Sequence, residues 1–217
     1  MKKKAHILLT GRIACRLVSI NDAPLLWGSI MPDLLVFTYL RPHTWENTRR
    51  KIFRMMRHLS KTGCTGNISA LRLGYIIHYI EDYFTYPHNI NFEGSIEDHV
   101  RFENEEAGWL TRQLIEKNAK PGGSVPAEMA FTDINDVIAG LEKMHAEYME
   151  STPGFENDFA YAAKAVSMVC TYYEYAFAAN EKRFFEFPLC PDMDYIVDIP
   201  KFAAKICLMT IAERKAA

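Results

Sequence analysis

The chain has 217 residues, 49% of them hydrophobic, and a formal net charge of −2 at pH 7. No low-complexity tract, linker or internal repeat divides it, so we expect a single domain across 1–217. No run of eighteen apolar residues occurs, which argues against a membrane-spanning helix. Arg12 and Arg16 interrupt the first apolar stretch, which argues against a signal peptide. Five cysteines without a Cys-x-x-Cys pair favour a reducing, cytoplasmic location.

The charge is distributed unevenly along the chain. Residues 1–61 hold 12 basic and three acidic residues, a net of +9, whereas the remaining residues hold 13 basic and 24 acidic residues, a net of −11. The basic segment is able to attract a phosphate-bearing substrate or an anionic membrane surface. A solvated basic face that is balanced by acids elsewhere in the fold explains the pattern equally well.

Helical periodicity begins near the start of the chain. The first predicted helix spans about 5–20 and ends at Asn21-Asp22-Ala23-Pro24. A short helix or turn follows at 25–31, and Pro32-Asp33 marks a break because proline lacks an amide donor. The next helix, capped by Thr44, runs to about Lys61. One of its faces carries basic residues: Arg50, Arg54, Arg57 and Lys61.

The middle of the chain holds two further predicted helices. Asn67 is predicted to cap a helix over about 68–86, which Pro87 ends. Ser95-Ile96-Glu97-Asp98 resembles a capping box that opens a helix to about Lys117, with His99 in its first turns. Gly74, inside the first of these helices, predicts a close approach of another element.

The remaining chain is also helical in pattern. A surface loop is predicted at 120–126, and helices at about 132–150, 157–185 and 199–214. Continuous strand-like alternation is absent. The fold prediction is therefore all-α, a single-domain bundle of about seven helices.

Histidines and carboxylates cluster between residues 78 and 103. His78 and Asp82 lie one helical turn apart on the same face, and so do His99 and Glu103. Imidazole nitrogens and carboxylate oxygens are ligands that zinc accepts without thiolate. His88 follows Pro87, is free to fold back, and forms a second predicted ligand set with His99 and Glu103. One such pair also describes an ordinary surface interaction, but two pairs that flank a third histidine favour a multi-metal hydrolytic site.

The order of these residues resembles the signature of a known family, the zinc-dependent phospholipase C enzymes, which are related to single-strand-specific zinc nucleases. The matching pattern is His78-x-x-x-Asp82-x5-His88-x10-His99-x-x-x-Glu103. Upstream, Gly28-Ser29-Ile30-Met31-Pro32-Asp33 resembles the family's Gly-x-x-x-Pro-Asp segment. His43 and His6 are similar in placement to two further family histidines.

The resemblance implies an all-helical hydrolase of phosphate esters, such as a phospholipid head group, with two or three zinc ions. By that resemblance one zinc is held by Asp33, His43, His78 and Asp82, a second by His88, His99 and Glu103, and a third by Asp82 and His6. A hydroxide shared between the zincs linked by Asp82 would attack phosphorus. Asp33 would orient or deprotonate it. Paired metals of this kind clamp the attacking and leaving oxygens.

One departure from the family pattern concerns the third zinc. Secreted members begin with a tryptophan whose free amine and carbonyl bind it, whereas this chain starts with Met1 and its Trp27 is internal. We therefore expect the third site to be incomplete, filled by water or absent. The alternative to an enzyme is then a non-catalytic, zinc-stabilised helical binding module.

Other readings of the chain rank lower. The nuclease relatives leave nucleic acid open as a substrate, which the basic Arg50/Arg54/Arg57 face could follow. No His-Glu-x-x-His motif is present for a zinc protease of that type. Glu81 neighbours Asp82 but is predicted on a different helix face. His145 is expected to be a core or surface residue, and neither is assigned a role.

Overall fold

The computed structural model describes residues 1–14, 17, 20–34, 42–62, 66–113, 131 and 133–180. These residues fall within one compact unit, Met1–Arg183. Over this part of the chain the structure contains seven α-helices and no strand, which confirms the all-α prediction. None of the described helices is both long and apolar enough to cross a membrane. The prediction of a single domain over 1–217 extends beyond the described residues and stays a prediction.

Among the described residues a 3₁₀ turn, Tyr86–His88, lies between the fourth and fifth helices. The helices are α1 Lys3–Ala14, α2 Asp22–Leu34, α3 Trp45–Thr62, α4 Asn67–Tyr83, α5 Ile96–Thr111, α6 Ile134–Glu150 and α7 Phe155–Asn180.

Helix α4 is the centre of the bundle. Thirteen of its 17 residues are buried, including His78, Glu81 and Asp82. It packs most extensively against α2, and also against α1, α3 and α7. A helix that is enclosed on nearly every side can hold several polar side chains away from water, but each of them then needs a partner. This placement makes α4 the element that organises the site.

The close contact between α2 and α4 depends on two glycines. A Cβ on Gly74 would lie 2.0 Å from the Leu25 carbonyl oxygen and 2.9 Å from the Gly28 Cα. A Cβ on Gly28 would lie 2.1 Å from the Leu71 carbonyl oxygen. Neither position has room for a side chain, so the two backbones touch directly. The close approach predicted from Gly74 is confirmed, and its partner is the Gly28 segment.

Pro32 and Asn67 do not mark helix boundaries in the way that the sequence predicts. Pro32 does not break α2, which continues to Leu34, because proline in the last turn removes only one amide donor. Asn67 is not a capping residue: Gly66 occupies that position with a φ of 113°, and Asn67 is the first helical residue. The Asn67 side-chain oxygen instead accepts a hydrogen bond from the side-chain nitrogen Nδ2 of Asn21 at 3.0 Å.

Other helix ends agree with the sequence to different degrees. α3 ends at Thr62, one residue past the predicted end, whereas α1 ends at Ala14, about six residues before its predicted end. The capping box of α5 is confirmed: Ser95 Oγ accepts the Asp98 amide at 3.1 Å, and Asp98 Oδ2 accepts the Ser95 amide at 2.9 Å. The predicted loop 120–126, the helix 199–214 and four cysteines, Cys15, Cys64, Cys190 and Cys207, lie outside the described residues. Cys170 is buried in α7 as a free thiol.

Candidate metal centre

All eight predicted ligand residues meet at one side of α4. They form three groups, and within each group one ligand atom per residue lies within 4.8 Å of the others. The groups are His6/His78/Asp82, Asp33/His43/His78 and His88/His99/Glu103. Helix α1 supplies His6, α2 supplies Asp33, α4 supplies His78 and Asp82, and α5 supplies His99 and Glu103.

His78 is oriented by the glycine contact between α2 and α4. Its Nδ1 lies 2.9 Å from the Ser29 carbonyl oxygen, which can only accept, so Nδ1 carries the hydrogen. Nε2 then faces the other side of the ring, 3.2 Å from His43 Nδ1 and 3.2 Å from Asp82 Oδ2. Asp33 Oδ1 lies 3.8 Å from the same nitrogen. A metal-ligating histidine commonly donates its other ring N–H to a backbone carbonyl in this way.

The two carboxylate oxygens of Asp82 face different ligands. Oδ2 lies 3.2 Å from His78 Nε2 and 3.3 Å from His43 Nδ1. Oδ1 lies 3.4 Å from His6 Nε2 and 3.7 Å from His88 Nε2. Burial raises the pKa of Asp82. The positive charges of protonated His88, the Met1 amine and protonated His78 more than offset burial, so the pKa lies well below 3.8. Asp82 is therefore an ionised carboxylate between two sets of nitrogen ligands.

The third group lies where α5 meets the 3₁₀ turn. Glu103 Oε1 is 3.2 Å from His88 Nε2 and 3.2 Å from His99 Nε2. Burial lowers the pKa of His88 from 6.5 to about 4, so its ring is neutral near pH 7 and can offer a lone pair. Although burial alone would raise the pKa of Glu103, the Met1 ammonium and hydrogen bonds from both histidines lower it strongly.

His145 supports the turn that carries His88, a role that the sequence did not indicate. Its ring stacks on Trp45 at a centroid distance of 3.8 Å, and Nε2 donates to Asn89 Oδ1 at 2.8 Å. The Asn89 amide in turn donates to the carbonyl oxygens of Tyr83 and Thr85, at 3.1 and 2.9 Å. These bonds tie the end of α4 to the turn, so His88 is held beside α5.

His6 is fully buried, and its two ring nitrogens have different surroundings. Nδ1 lies 2.5 Å from Glu81 Oε2, whereas Nε2 makes no hydrogen bond within the described part of the chain. Burial, and secondarily His78, lower the pKa of His6 from 6.5 to about 3. A buried ring nitrogen without a partner is costly unless a cation or another group satisfies it. This atom is an observation in favour of a metal at the His6/His78/Asp82 group.

The α-amine of Met1 also reaches this centre. It is buried and lies 2.9 Å from Asp82 Oδ1, 3.1 Å from Glu103 Oε1 and 3.1 Å from His88 Nε2. Burial lowers its pKa, but the carboxylates of Asp82, Glu103 and Glu106 more than offset that effect and raise the pKa from 8.0 to about 12. This nitrogen therefore lies beside the ligand atoms of Asp82, Glu103 and His88, and the expectation of an incomplete third site stays a prediction.

The donor set fits zinc. Among the described residues it consists of imidazole nitrogens and carboxylate oxygens, which zinc accepts without thiolate. A family profile described as zinc-dependent phospholipase C matches residues 5–155. The chain belongs to this family. Comparisons with curated proteins and with solved structures found no match.

Membership of the zinc-dependent phospholipase C family implies a general class of reaction, the zinc-dependent hydrolysis of phosphoesters. The profile ends near the start of α7, so it covers every ligand residue of the three groups. The sequence predicted these eight residues as ligands, and the structure brings them together. Sequence reasoning missed Ser29 and Asn89, whose contacts with His78 and His145 join segments far apart in the chain. It also gave no role to Glu81, because α1, which covers the Glu81 face of α4, could not be positioned from the sequence.

Proposed function

We propose that this protein hydrolyses phosphate esters with two or three zinc ions bound by the three ligand groups. The observation that supports this most directly is the convergence of eight histidine and carboxylate side chains, with Asp82 among them, in a chain of the zinc-dependent phospholipase C family. Asp33, His43, His78 and Asp82 would hold one zinc and His88, His99 and Glu103 a second. A third would lie between His6 and Asp82.

Exposure of the ligands indicates where a substrate would enter. His6, His78 and Asp82 are at most 1% exposed, whereas the side chains of His99 and Asp33 are 30% and 21% exposed. The inner residues are therefore closed to solvent, and the outer ones form an open rim. A phosphate group would approach from the side of Asp33 and His99.

Zinc at these ligands would supply an acidified water and neutralise the phosphate oxygens. The protein's own contribution lies in orientation and proton transfer. Asp33 is the carboxylate at the rim, and burial raises its pKa above 3.8, although His78 opposes that shift. We assign it the task of orienting the attacking water and accepting its proton. Positioned general bases of this kind contribute about 10²–10⁴-fold to a rate.

Substrate class and location are the finer parts of the proposal. A phospholipid head group fits the family, and the exposed Lys3 and Lys4 at the start of α1 are suited to an anionic membrane surface. Nucleic acid is the alternative, since Arg50, Arg54 and Arg57 are exposed on α3. We place the protein in the cytoplasm on the strength of its cysteine pattern.

The test combines zinc content with turnover of bis(p-nitrophenyl) phosphate and p-nitrophenyl phosphate. Wild type should carry two or three zinc ions per chain and hydrolyse at least one ester. Asp33→Asn should lower turnover by about 10²-fold or more while most zinc is retained. Asp136→Asn, an exposed aspartate on α6, is the matched control and should behave like wild type.

Each outcome separates the two functional hypotheses. Absence of bound zinc would refute the proposal outright. Stoichiometric zinc without turnover on a wide panel of esters would favour the non-catalytic, zinc-stabilised module. Undiminished turnover in Asp33→Asn would remove Asp33 from the reaction.

A further inference from the structure

Glu81 is a fully buried carboxylate that contacts α1 rather than the rim of the metal centre. Its Oε2 lies 2.5 Å from His6 Nδ1, and its Oε1 accepts a hydrogen bond from Thr10 Oγ1 at 2.8 Å. His6 and Thr10 are one helical turn apart on α1, so both face the same acceptor. One side chain of α4 thus binds two of α1.

Burying the Glu81 carboxylate costs desolvation free energy, and the need to fill space does not account for a carboxylate at this position. Glu81 is 0% exposed and precedes Asp82, which is 1% exposed, so two acidic groups are buried on successive residues. Both oxygens of Glu81 have a hydrogen-bond partner, but an apolar side chain would fill the same space without the desolvation cost. The position therefore points to a task that needs an acceptor oxygen.

The geometry around His6 indicates that task. If the Nδ1 hydrogen is donated to Glu81, Nε2 presents its lone pair toward Asp82 Oδ1, 3.4 Å away. In the opposite tautomer, Nε2–H would point at Asp82 from a distance longer than an ordinary hydrogen bond of about 2.7–3.2 Å. The absence of a hydrogen bond at Nε2 agrees with the first arrangement. A lone pair beside a carboxylate is a pair of ligands for a cation.

We propose that Glu81 is a positioning residue for the inner metal group His6/His78/Asp82. It holds the His6 ring with hydrogen on Nδ1 and thereby directs Nε2 toward Asp82, while Thr10 holds Glu81 in place. The inference rests on the proposed zinc centre and adds a residue that supports it from outside the ligand set. Losing such an outer partner typically lowers metal affinity by about 10–100-fold.

The experiment uses the full-length chain and three variants. Glu81→Met removes both acceptor oxygens, whereas Glu81→Gln keeps one oxygen that can accept from His6. Glu106→Met is the matched control, because Glu106 is also a buried carboxylate (1% exposed) but its oxygens have no hydrogen-bond partner within the described residues. Nitrogen-15 NMR of the histidine rings reports the His6 tautomer in zinc-free protein, with His6→Ala to assign the signal. Competition with a chelator reports zinc affinity.

We expect wild-type His6 to carry its hydrogen on Nδ1. Glu81→Met should lose that preference and bind its weakest zinc about 10–100-fold less tightly. Glu81→Gln should keep the tautomer and remain within a few-fold of wild-type zinc affinity. This rescue is expected if Glu81 acts through its acceptor oxygen, and not if it acts through its negative charge. Glu106→Met should leave the tautomer unchanged.

Two results would overturn the inference: a wild-type His6 with hydrogen on Nε2, or a Glu81→Met protein with wild-type tautomer and affinity. The wild-type tautomer needs no variant, so it decides the assignment even where Glu81→Met does not fold. If wild type binds no zinc, the proposed function fails, and the tautomer still shows whether Glu81 orients His6.

Discussion

Replacing Gly74 by alanine should separate α2 from α4. The new Cβ would lie 2.0 Å from the Leu25 carbonyl oxygen and 2.9 Å from both the Gly28 Cα and the Ser29 nitrogen. Carbon atoms in ordinary contact lie about 3.5–4 Å from their neighbours, so the two backbones must move apart by about 1.5 Å. These neighbours are backbone atoms, which cannot rotate away as a side chain can.

The magnitude follows from three contributions. Overpacking of a tight contact costs about 1–3 kcal/mol. The 2.9 Å hydrogen bond from His78 Nδ1 to the Ser29 carbonyl oxygen would be stretched beyond its range, which costs about 0.5–1.5 kcal/mol. Alanine gains about 1 kcal/mol over glycine in helix propensity. We therefore expect Gly74→Ala to lower the free energy of unfolding by about 0.5–3.5 kcal/mol.

Urea denaturation of zinc-loaded protein, together with zinc affinity, is the assay. Gly108→Ala is the matched control, since a Cβ there meets nothing nearer than Arg112 Nη1 at 3.8 Å. That variant should be as stable as wild type or gain up to about 1 kcal/mol. A Gly74→Ala protein that matched Gly108→Ala in stability would refute the direct contact of the two backbones. One that lost stability but kept full zinc affinity would refute the link from this contact to His78.

Three further predictions concern the elements around the centre. Ser95→Ala removes the cap of α5 and should cost about 0.5–2 kcal/mol of unfolding free energy in thermal denaturation, while Ser95→Thr should cost less. Burial lowers the pKa of His145 from 6.5 to about 4. As the pH falls below 6.5, His145 binds a proton in the unfolded chain but not yet in the folded one. The free energy of unfolding should therefore fall between about pH 6.5 and 4, and more steeply in wild type than in His145→Gln. Equal slopes would contradict this assignment. Chelation of zinc should lower the melting temperature, since a ligand at 100 times its Kd stabilises by about 2.7 kcal/mol; an unchanged melting temperature would argue against zinc in the folded state.

The sequence predicted the parts of the centre that depend on local geometry. His78 with Asp82, and His99 with Glu103, are each one turn apart, and that spacing is fixed by the helix itself. The capping box at Ser95 is local in the same sense. Asp33, His43 and His6 were reached only through the family resemblance, because their distance from α4 in the chain hides their proximity.

What the sequence could not supply depends on contacts between helices. Glu81 was set aside because it is off the His78–Asp82 face, yet that other face is covered by α1, which carries His6 and Thr10. Asn67 was predicted as a cap, but its side chain accepts a hydrogen bond from Asn21 instead. In both cases a contact with a distant segment of the chain decided the role of the residue. Pro32 is different, because α2 continues only two residues beyond it, to Leu34, so the missing amide donor lies near the end of the helix.

The division of Asp82 between two sets of nitrogens has a consequence for how metal ions load. One carboxylate cannot serve ions on both oxygens without each ion altering the charge and orientation that the other meets. The first ion then changes the affinity for the second by some factor. Thermodynamic reciprocity requires that the second ion changes the affinity for the first by the same factor. The zinc ions should therefore not bind independently. Each apparent binding constant in a zinc titration should depend on how far the neighbouring site is already filled.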